Sequence, residues 1–232
     1  MSSIALKRIK NDMKIIRTSN LDEQNIYVSF DEANIYNAKA LIIGPYIENS
    51  PYQGGFYLFD ITFPTNYPLS PPKVEFKTTN NCVRFNPNLY KCGKVCLSIL
   101  NTWSGPGWTS AQNLMSVLLS IQSLLHDNPI QNEPGWENEN GIKSKNYNIL
   151  LAYYNIKVAV IQMVNNIPEG FEIFSDLIKD YLKKNKEKYD KVIEDYYEYN
   201  GDEFSSCFML KMKNYNIKDI HLQFNELIKN LI

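Results

Sequence analysis

The sequence predicts an α+β fold with an N-terminal helix, a four-stranded antiparallel meander sheet, a central helix and additional C-terminal helices. Apolar residues recur at helical spacing at the start of the chain and through its second half. Between these regions, residues 26–77 contain short runs rich in aromatic and β-branched residues. Only short turns separate the runs, so consecutive strands are expected to pair with each other.

The first helix is predicted over residues 4–16. Leu6, Ile9, Met13 and Ile16 fall on one face of a helix with 3.6 residues per turn. Lysine and arginine side chains occupy another face of the same segment. A charged face of this kind is usually a solvated surface, so the helix is expected to bury only its apolar side.

The strands are predicted over residues 26–30, 38–43, 56–63 and 74–77. Between them lie pairs of residues that favour turns, including Gly44-Pro45 and Gly54-Gly55. Residues 67–72 contain three prolines, which lack the backbone N–H group that a helix or a central strand requires. Residues 82–101 then form a long irregular loop, and loops of that length are usually functional.

Helices return in the second half of the chain. The central helix is predicted over residues 110–126, with a capping box formed by Thr109 and Gln112. A polar loop is expected over residues 130–147. The remaining helices are predicted over residues 148–164, 174–199 and 218–231. Their apolar faces need burial, so these helices are expected to pack on the rest of the chain.

Composition excludes several classes of function. The 232 residues are 44% hydrophobic and 21% charged, as in ordinary globular proteins. The net charge of −1 lacks the basic excess of a nucleic-acid-binding protein. No apolar run is long enough to cross a membrane, and the N-terminus lacks the apolar segment of a signal peptide. A location in the cytoplasm, or in both the cytoplasm and the nucleus, is therefore expected. A monomer is expected as well, because no uncompensated apolar stripe is evident in the sequence.

The four cysteines do not form a recognisable disulfide or zinc pattern. Cys92 and Cys96 are four residues apart, but no second pair and no nearby histidine completes a set of zinc ligands. No metal site is therefore expected. A free cysteine is most often a buried structural residue. As a thiolate in an accessible loop, it is also a nucleophile.

Residues 86–100 read Asn-Pro-Asn-Leu-Tyr-Lys-Cys-Gly-Lys-Val-Cys-Leu-Ser-Ile-Leu and resemble the active-site block of the ubiquitin-conjugating enzymes. As in that family, Asn88 lies eight residues before Cys96. Four more stretches resemble family signatures in the same order: Ala5-Leu-Lys-Arg-Ile9, Pro51-Tyr-Gln-Gly-Gly55, Phe63-Pro-Thr-Asn-Tyr-Pro-Leu-Ser-Pro-Pro-Lys-Val74, and Leu119-Ser-Ile-Gln-Ser-Leu-Leu125 followed by Asn128-Pro129. The resemblance implies the ubiquitin-conjugating fold.

A narrower resemblance connects the chain to the Z-type subfamily. It rests on Val83-Arg-Phe-Asn-Pro-Asn88, Thr102-Trp-Ser-Gly-Pro-Gly-Trp108, Asn132-Glu-Pro-Gly-Trp136 and Ser144-Lys-Asn-Tyr147. Z-type members also have a longer C-terminal region. The resemblance implies a catalytic core over residues 1–165 and a helical extension packed on it over residues 166–232. The extension would act as scaffolding or help to select the activating enzyme or the ubiquitin-like protein. Resemblance to the Z-type subfamily also implies use of the alternative activating enzyme.

The resemblance assigns chemical roles to individual residues. Cys96 would carry ubiquitin as a thioester, because a thiolate is both a nucleophile and a fair leaving group. Asn88 would donate a hydrogen bond to the oxyanion, a role compatible with stabilising its turn. Asn86 stands where most members have histidine, and its amide can make similar hydrogen bonds. Glu133 is a candidate for positioning the incoming lysine, with a polar surface residue as the alternative. Cys92 is a reactive neighbour or, more simply, a bystander.

Docking surfaces are also implied by the resemblance. Lys7, Arg8 and Lys10 match the basic helix that docks the ubiquitin-activating enzyme, although a solvated helix face would have the same charges. The ligase-docking positions are Leu69, Ser70, Trp108 and Ser110. Many relatives have phenylalanine at the first of these positions and proline at the last. The segment 102–107 inserts extra residues beside this surface.

The function implied is that of a ubiquitin-conjugating transferase. It would accept ubiquitin from an activating enzyme on Cys96 and pass it to a substrate lysine or a ligase. ATP is used by the activating enzyme, so no cofactor is expected. Alternatives are a carrier for another ubiquitin-like protein and a non-catalytic ubiquitin-binding scaffold, which would lack the cysteine. A cysteine hydrolase is disfavoured because His126 and His221 are both far from Cys96 in the sequence.

Overall fold

A four-stranded antiparallel sheet follows the N-terminal helix. The computed structural model describes residues 3–80, 82–208 and 210–231. The elements in this part of the chain are α1 (Ser3–Thr18), β1 (Ile26–Phe30), β2 (Asn37–Ile43), β3 (Phe56–Thr62) and β4 (Lys73–Phe76). The strands pair in the order β1-β2-β3-β4, each antiparallel to the next. The predicted α+β fold and its meander are confirmed.

Both faces of the sheet are buried where residues 40–43 of β2 pair with residues 56–59 of β3. Tyr57 and Phe59 extend from one face and contact Phe76 in β4, with ring centroids 6.3 and 5.4 Å away. Successive side chains of a strand alternate between faces, so Phe56 extends from the other face. Its ring lies 6.1 Å from that of Tyr181, in the C-terminal part of the chain. The C-terminal helices therefore cover the face that the central part of the chain leaves open.

The central helix, α2, is shorter than predicted and begins at a different cap. It spans Leu114–Gln122, and its N-cap is Asn113 rather than Thr109. The Asn113 side chain accepts a hydrogen bond from the Ser116 N–H at 2.9 Å, and the Ser116 hydroxyl accepts one from the Asn113 N–H at 3.4 Å. The Thr109 N–H does donate to Gln112 Oε1 at 3.0 Å, but this contact closes a separate turn before the helix.

Helix α3 begins earlier than the sequence predicts. It spans Ile142–Tyr154 and continues into a π-helical stretch, Asn155–Gln162, and the single turn α4, Met163–Asn165. The first turns of α3 were predicted as loop because their polar residues hide the apolar period. Those residues bond to a neighbouring polar segment: Ser144 Oγ donates to Asn128 Oδ1 at 2.5 Å, and Asn148 Nδ2 donates to the Asp127 carbonyl at 2.6 Å.

The single long helix predicted over residues 174–199 is two helices, α5 (Ser175–Lys184) and α6 (Lys186–Glu194). Asn185 separates them, with φ −114° and ψ 15°. Its side chain donates a hydrogen bond to the Tyr181 carbonyl at 2.9 Å. An asparagine side chain that bonds the backbone in this way competes with helical hydrogen bonding, which explains the interruption.

A small hairpin precedes the last helix. Strands β5 (Phe204–Ser205) and β6 (Lys211–Met212) pair antiparallel, and α7 spans Ile217–Leu231. The hairpin was not predicted, because two-residue strands have no readable alternation. The C-terminal part also bonds to α3, where the Tyr215 hydroxyl donates to the Ile149 carbonyl at 3.3 Å. Among the described residues, no helix has the length and hydropathy needed to cross a membrane.

Candidate active site

Cys96 lies in the irregular segment between β4 and α2, just before a short 3-10 turn, Ser98–Leu100. The segment doubles back on itself, because Leu89 forms an antiparallel bridge with Val95. One consequence is a backbone hydrogen bond of 2.9 Å from the Cys96 N–H to the Asn88 carbonyl. Cys96 is only 1% exposed, so its thiol lies below the surface of this loop.

The side chain of Asn88 reaches the backbone of Cys96. Its Nδ2 donates a 2.6 Å hydrogen bond to the Cys96 carbonyl oxygen. Asn88 is 5% exposed, and its Oδ1 has no hydrogen-bond partner among the described residues. An amide nitrogen has two protons, and this contact uses one of them. The Asn88 amide therefore contacts the backbone of the cysteine with which the family resemblance pairs it.

Asn86 stabilises the same loop from the protein interior. It is fully buried, and its Nδ2 donates to the Leu124 carbonyl at 2.9 Å and to the Tyr52 hydroxyl at 3.0 Å. Its Oδ1 accepts a hydrogen bond from the Asn88 N–H at 2.9 Å. Burial raises the pKa of Tyr52, so the hydroxyl stays protonated and donates to the Phe85 carbonyl at 2.6 Å. The asparagine amide thus uses both its donor and its acceptor to shape the turn.

Glu133 lies beside this turn but is paired with an arginine. Its Oε2 is 3.1 Å from Arg84 Nη2, which also donates a 2.5 Å hydrogen bond to the Pro87 carbonyl. Arg84 was not a candidate at the sequence level, because an arginine is by default a surface residue. The sequence feature that could have identified it is its position in residues 83–88, a stretch that resembles the Z-type subfamily and leads into the active-site block.

Neither histidine bonds to Cys96. The His126 ring accepts a hydrogen bond from the Asn128 N–H at 3.1 Å. His221 lies in the C-terminal part, where its Nε2 is 3.0 Å from Asp190 Oδ1. In the part of the chain that the structure describes, no group of three His, Cys, Asp or Glu side chains is arranged to hold a metal ion.

The other three cysteines are exposed: Cys82, Cys92 and Cys207. Cys92 is in the loop that leads to Cys96, and Cys207 is in the turn between β5 and β6. Partial burial raises the pKa of the Cys207 thiol, and the charge of the Glu133 carboxylate adds to this shift. Cys207 therefore lies within electrostatic reach of the Arg84–Glu133 pair.

The basic residues of α1 separate into two kinds. Lys7 and Lys10 are exposed, but Arg8 is half-buried. The Arg8 guanidinium donates to the carbonyls of Ser110 at 2.9 Å and Gln112 at 2.5 Å, and its Nε pairs with Asp12 at 3.0 Å. Arg8 therefore links α1 to the segment before α2, whereas the two lysines are free to meet a partner.

The predicted ligase-docking residues lie on two adjacent loops. Leu69 is 78% exposed, next to Pro68, whose carbonyl accepts a 2.7 Å hydrogen bond from Trp108 Nε1. The Ser70 hydroxyl accepts a 2.8 Å hydrogen bond from Asn66. Arg8 binds the Ser110 carbonyl, so the loop of Trp108 and Ser110 lies next to α1, and the Trp108 hydrogen bond to Pro68 joins it to the loop of Leu69 and Ser70.

The inserted segment 102–107 starts beside the active-site loop. The Thr102 hydroxyl donates to the Val95 carbonyl at 2.8 Å and accepts from the Leu97 N–H at 3.0 Å. At its other end, the Trp108 N–H donates to Asn101 Oδ1 at 2.9 Å. The backbone on both sides of Cys96 is therefore tied to the start of the insertion.

Comparisons with known proteins agree with these features. Residues 8–149 match the family model for ubiquitin-conjugating enzymes. The chain is 38% identical over 221 residues to ubiquitin-conjugating enzyme E2 Z of Xenopus tropicalis, covering 94% of this chain and 69% of that protein. It is 48% identical over 161 residues to the E2 Z of Homo sapiens, covering 68% of this chain and 44% of that protein.

A solved structure is also similar. The chain matches the crystal structure of a protein described as a ubiquitin-conjugating enzyme from Plasmodium yoelii, with a TM-score of 0.52 and 28% identity. That match covers 68% of this chain and 97% of the other. The match to the family model includes Asn88, Cys96 and the whole loop that joins them. On these grounds, the chain belongs to the ubiquitin-conjugating enzyme family, within its Z-type branch.

Proposed function

We propose that this chain accepts ubiquitin from an activating enzyme as a thioester on Cys96 and passes it to a substrate lysine or to a ligase. The observation that carries the proposal is the hydrogen bond of 2.6 Å from Asn88 Nδ2 to the Cys96 carbonyl. It places an amide donor beside a cysteine in a chain of the ubiquitin-conjugating family. The chain spans 69% and 44% of the lengths of the two E2 Z relatives, so the activity is proposed for the part of the protein that this chain represents.

Loading is an exchange between two thioesters. The Cys96 sulfur bonds to the carbonyl carbon at the C-terminus of ubiquitin while the bond from that carbon to the activating enzyme's sulfur breaks. The departing sulfur leaves as a thiolate, and the proton lost by Cys96 restores the thiol of the activating enzyme. A cysteine suits both the attack in this exchange and its own later release, because sulfur is a strong nucleophile and a fair leaving group.

Discharge follows when an amine attacks the thioester carbonyl. Negative charge then develops on the carbonyl oxygen, and we assign its stabilisation to the second Nδ2 proton of Asn88. A preorganised donor of this kind contributes about 10²–10³ in rate. Collapse of the intermediate forms the isopeptide bond, releases the Cys96 thiolate and transfers the amine proton to water or a carboxylate.

Glu133 is the carboxylate we propose for positioning the incoming lysine. Its ion pair with Arg84 uses Oε2, at 3.1 Å, which leaves Oε1 available for an ammonium group. The Glu133 side chain is 29% exposed, so a lysine can approach it from solvent. The carboxylate would hold the lysine as its ammonium ion, and desolvation as the amine moves from Glu133 to the thioester would favour the neutral form that attacks.

The remaining surfaces complete the proposed cycle. We assign Lys7 and Lys10 to an acidic surface of the activating enzyme, with Arg8 supporting the neighbouring loop, and Leu69, Ser70, Trp108 and Ser110 to a ligase. We further propose that residues 1–165 form the catalytic core and residues 166–232 its packed extension. The expected location is the cytoplasm and nucleus, and the expected state is a monomer.

The test is to incubate the purified chain with ATP, ubiquitin and each available activating enzyme, and then to compare non-reducing with reducing gels. A reducible adduct the mass of one ubiquitin is expected. It should be lost in Cys96→Ala and kept in Cys92→Ala, the matched control from the same loop. If no activating enzyme produces the adduct with ubiquitin, the proposal fails. Repeating the assay with other ubiquitin-like proteins would then identify a different cargo.

A further inference from the structure

The peptide unit between Pro87 and Asn88 is held at both of its polar atoms. Its N–H donates to Asn86 Oδ1 at 2.9 Å, and its carbonyl oxygen accepts from Arg84 Nη2 at 2.5 Å. Because the peptide unit is planar, fixing both atoms fixes the direction in which the chain continues to the Asn88 Cα. The direction of the Asn88 side chain therefore depends on Arg84, although no hydrogen bond joins the two side chains among the described residues.

Arg84 is itself held between two aromatic rings. Its guanidinium carbon lies 4.1 Å from the ring centroid of Tyr90 and 4.8 Å from that of Phe208. Tyr90 belongs to the active-site loop, whereas Phe208 lies in the turn between β5 and β6. The Arg84 side chain is only 19% exposed, and contacts between a cation and an aromatic face strengthen when water is excluded.

Phe208 is anchored to the body of the protein on the other side. Its ring lies 4.8 Å from that of Tyr147, which is fully buried in α3. The Tyr147 hydroxyl donates to the Arg84 carbonyl at 2.9 Å. Tyr147 and Phe208 therefore hold the backbone and the guanidinium of Arg84, respectively. The guanidinium has an aromatic ring on both sides only when the C-terminal hairpin is in place.

We infer that Arg84 is a positioning residue for Asn88 and that Phe208 makes this positioning depend on the C-terminal hairpin. The inference rests on the proposed function, in which Asn88 stabilises the oxyanion. Without the Phe208 ring, one face of the guanidinium becomes solvated and the long side chain regains its rotational freedom. The Pro87 carbonyl then loses a fixed donor, and the Asn88 amide samples orientations that do not face the reacting carbon.

A simpler interpretation is that Arg84 and Phe208 only stabilise the fold. The ion pair with Glu133 is partly exposed, and such pairs are usually worth little by themselves. The two interpretations differ in what they predict for Asn88. Under the positioning role, loss of Phe208 affects catalysis through Asn88 alone. Under the stability role, loss of Phe208 lowers the free energy of unfolding, as Leu227→Ala does, and has no specific effect on the Asn88 amide or on the rate of discharge.

The test measures discharge of a preformed thioester on Cys96 to free lysine, at a temperature where all variants are folded. Phe208→Ala and Arg84→Ala are each expected to slow discharge by about 10- to 100-fold, as for other small displacements of catalytic groups. Phe208→Tyr keeps the ring and should restore the wild-type rate. Leu227→Ala, a truncation of a buried residue on α7, is the control and should leave the rate unchanged.

A double-mutant cycle identifies the route of the effect. In an Asn88→Ala background, adding Phe208→Ala should change the discharge rate by less than about twofold, because the group being positioned is already gone. If the two effects instead multiply, or if Phe208→Ala discharges at the wild-type rate, the inference is wrong. A loss in Phe208→Tyr as large as in Phe208→Ala would also overturn it.

A second measurement separates this inference from the proposed function, because it needs no ubiquitin. The backbone N–H signal of Asn88 is followed by nuclear magnetic resonance, with hydrogen exchange as the readout. Phe208→Ala should shift this signal and speed its exchange, and Leu227→Ala should not. If the wild type forms no thioester, the proposed function fails while this result still decides the positioning. An unchanged Asn88 signal in Phe208→Ala overturns the inference.

Discussion

The hydroxyl of Tyr189 in α6 donates a 2.6 Å hydrogen bond to the carbonyl oxygen of Gly54, which lies 135 residues earlier in the chain. Gly54 has a φ of +68°, and a Cβ atom there would lie 2.6 Å from the Tyr189 ring. The Tyr189 ring also packs against Phe224 of α7, with centroids 5.3 Å apart. The turn before β3 and the two C-terminal helices are thus joined at a point with no space for another side chain.

Tyr189→Phe is expected to lower the free energy of unfolding by about 1–3 kcal/mol, the range for leaving a buried group unpaired. The ring and its packing remain, so the loss reports the hydrogen bond to the Gly54 carbonyl. Urea denaturation followed by circular dichroism would measure the change.

Tyr36→Phe is the matched control for this hydroxyl. The Tyr36 hydroxyl is buried and has no hydrogen-bond partner among the described residues. Its removal should change the free energy of unfolding by no more than about 0.5 kcal/mol. Equal losses in the two variants would mean that the contact between Tyr189 and Gly54 does not stabilise the fold.

Asp12 is the second buried group whose loss should be severe. It is 1% exposed, accepts hydrogen bonds from the Leu114 N–H at 3.0 Å and from the Tyr67 hydroxyl, and pairs with Arg8. Asp12→Ala leaves these donors without their acceptor and should destabilise the protein by about 3 kcal/mol or more. Thermal and urea denaturation would both report the loss.

The control for Asp12 is Asp180→Ala, which removes an exposed carboxylate on α5. A change within about 0.5 kcal/mol is expected there. Arg8 binds the Ser110 and Gln112 carbonyls, so the Asp12 variant should also loosen the segment before α2. Faster hydrogen exchange at residues 108–114 would show this. Similar stability of the two variants would contradict the prediction.

Alkylation rates should distinguish the cysteines. Cys96 is 1% exposed, so iodoacetamide should modify it more slowly than the exposed Cys92 in the folded protein. Peptide mass spectrometry after short exposures would give the rate at each site. In urea, where both thiols are exposed, the alkylation rates of Cys96 and Cys92 should become similar. If Cys96 reacts as fast as Cys92 in the folded protein, its thiol is not shielded.

Cys207 should show a different dependence on pH. Burial raises its pKa, so less of the reactive thiolate is present at any given pH below the titration range. Its alkylation rate should therefore rise with a midpoint above the ordinary value for cysteine, about 8.5. In urea the midpoint should fall back to that value. An identical midpoint in the folded and unfolded chains would rule out the effect of burial.

Leu69→Ala tests the proposed ligase surface without disturbing the fold. Leu69 is 78% exposed, so its truncation should leave the melting temperature and loading of Cys96 unchanged. Ligase-stimulated discharge should fall about tenfold if Leu69 is one of the few contacts that carry most of the binding energy of the interface. Leu222→Ala, which removes a side chain that is 69% exposed on α7, is the control and should discharge normally. Equal discharge by both variants would place the ligase elsewhere.

Much of the fold could be predicted because its signals are local. Strand β3 is rich in aromatic and β-branched residues, β2 ends in Leu41-Ile42-Ile43, and the turn between them contains glycine and proline. The interruption at Asn185 and the early start of α3 could not be predicted. The Asn185 side chain bonds the Tyr181 carbonyl four residues earlier, and apolar periodicity does not report such a local polar contact. The start of α3 depends instead on groups that folding brings near, as when Ser144 bonds Asn128.

The sequence by itself determined the candidate nucleophile and its donor, because residues 86–100 resemble the active-site block of the ubiquitin-conjugating enzymes and the block lies in one continuous stretch of chain. Only the tertiary structure decided what holds them. Arg84 meets Glu133, which is 49 residues away, and also Phe208 in the C-terminal hairpin. Contacts over such separations leave no periodicity or spacing in the sequence, because they depend on how the helices and the sheet pack against each other.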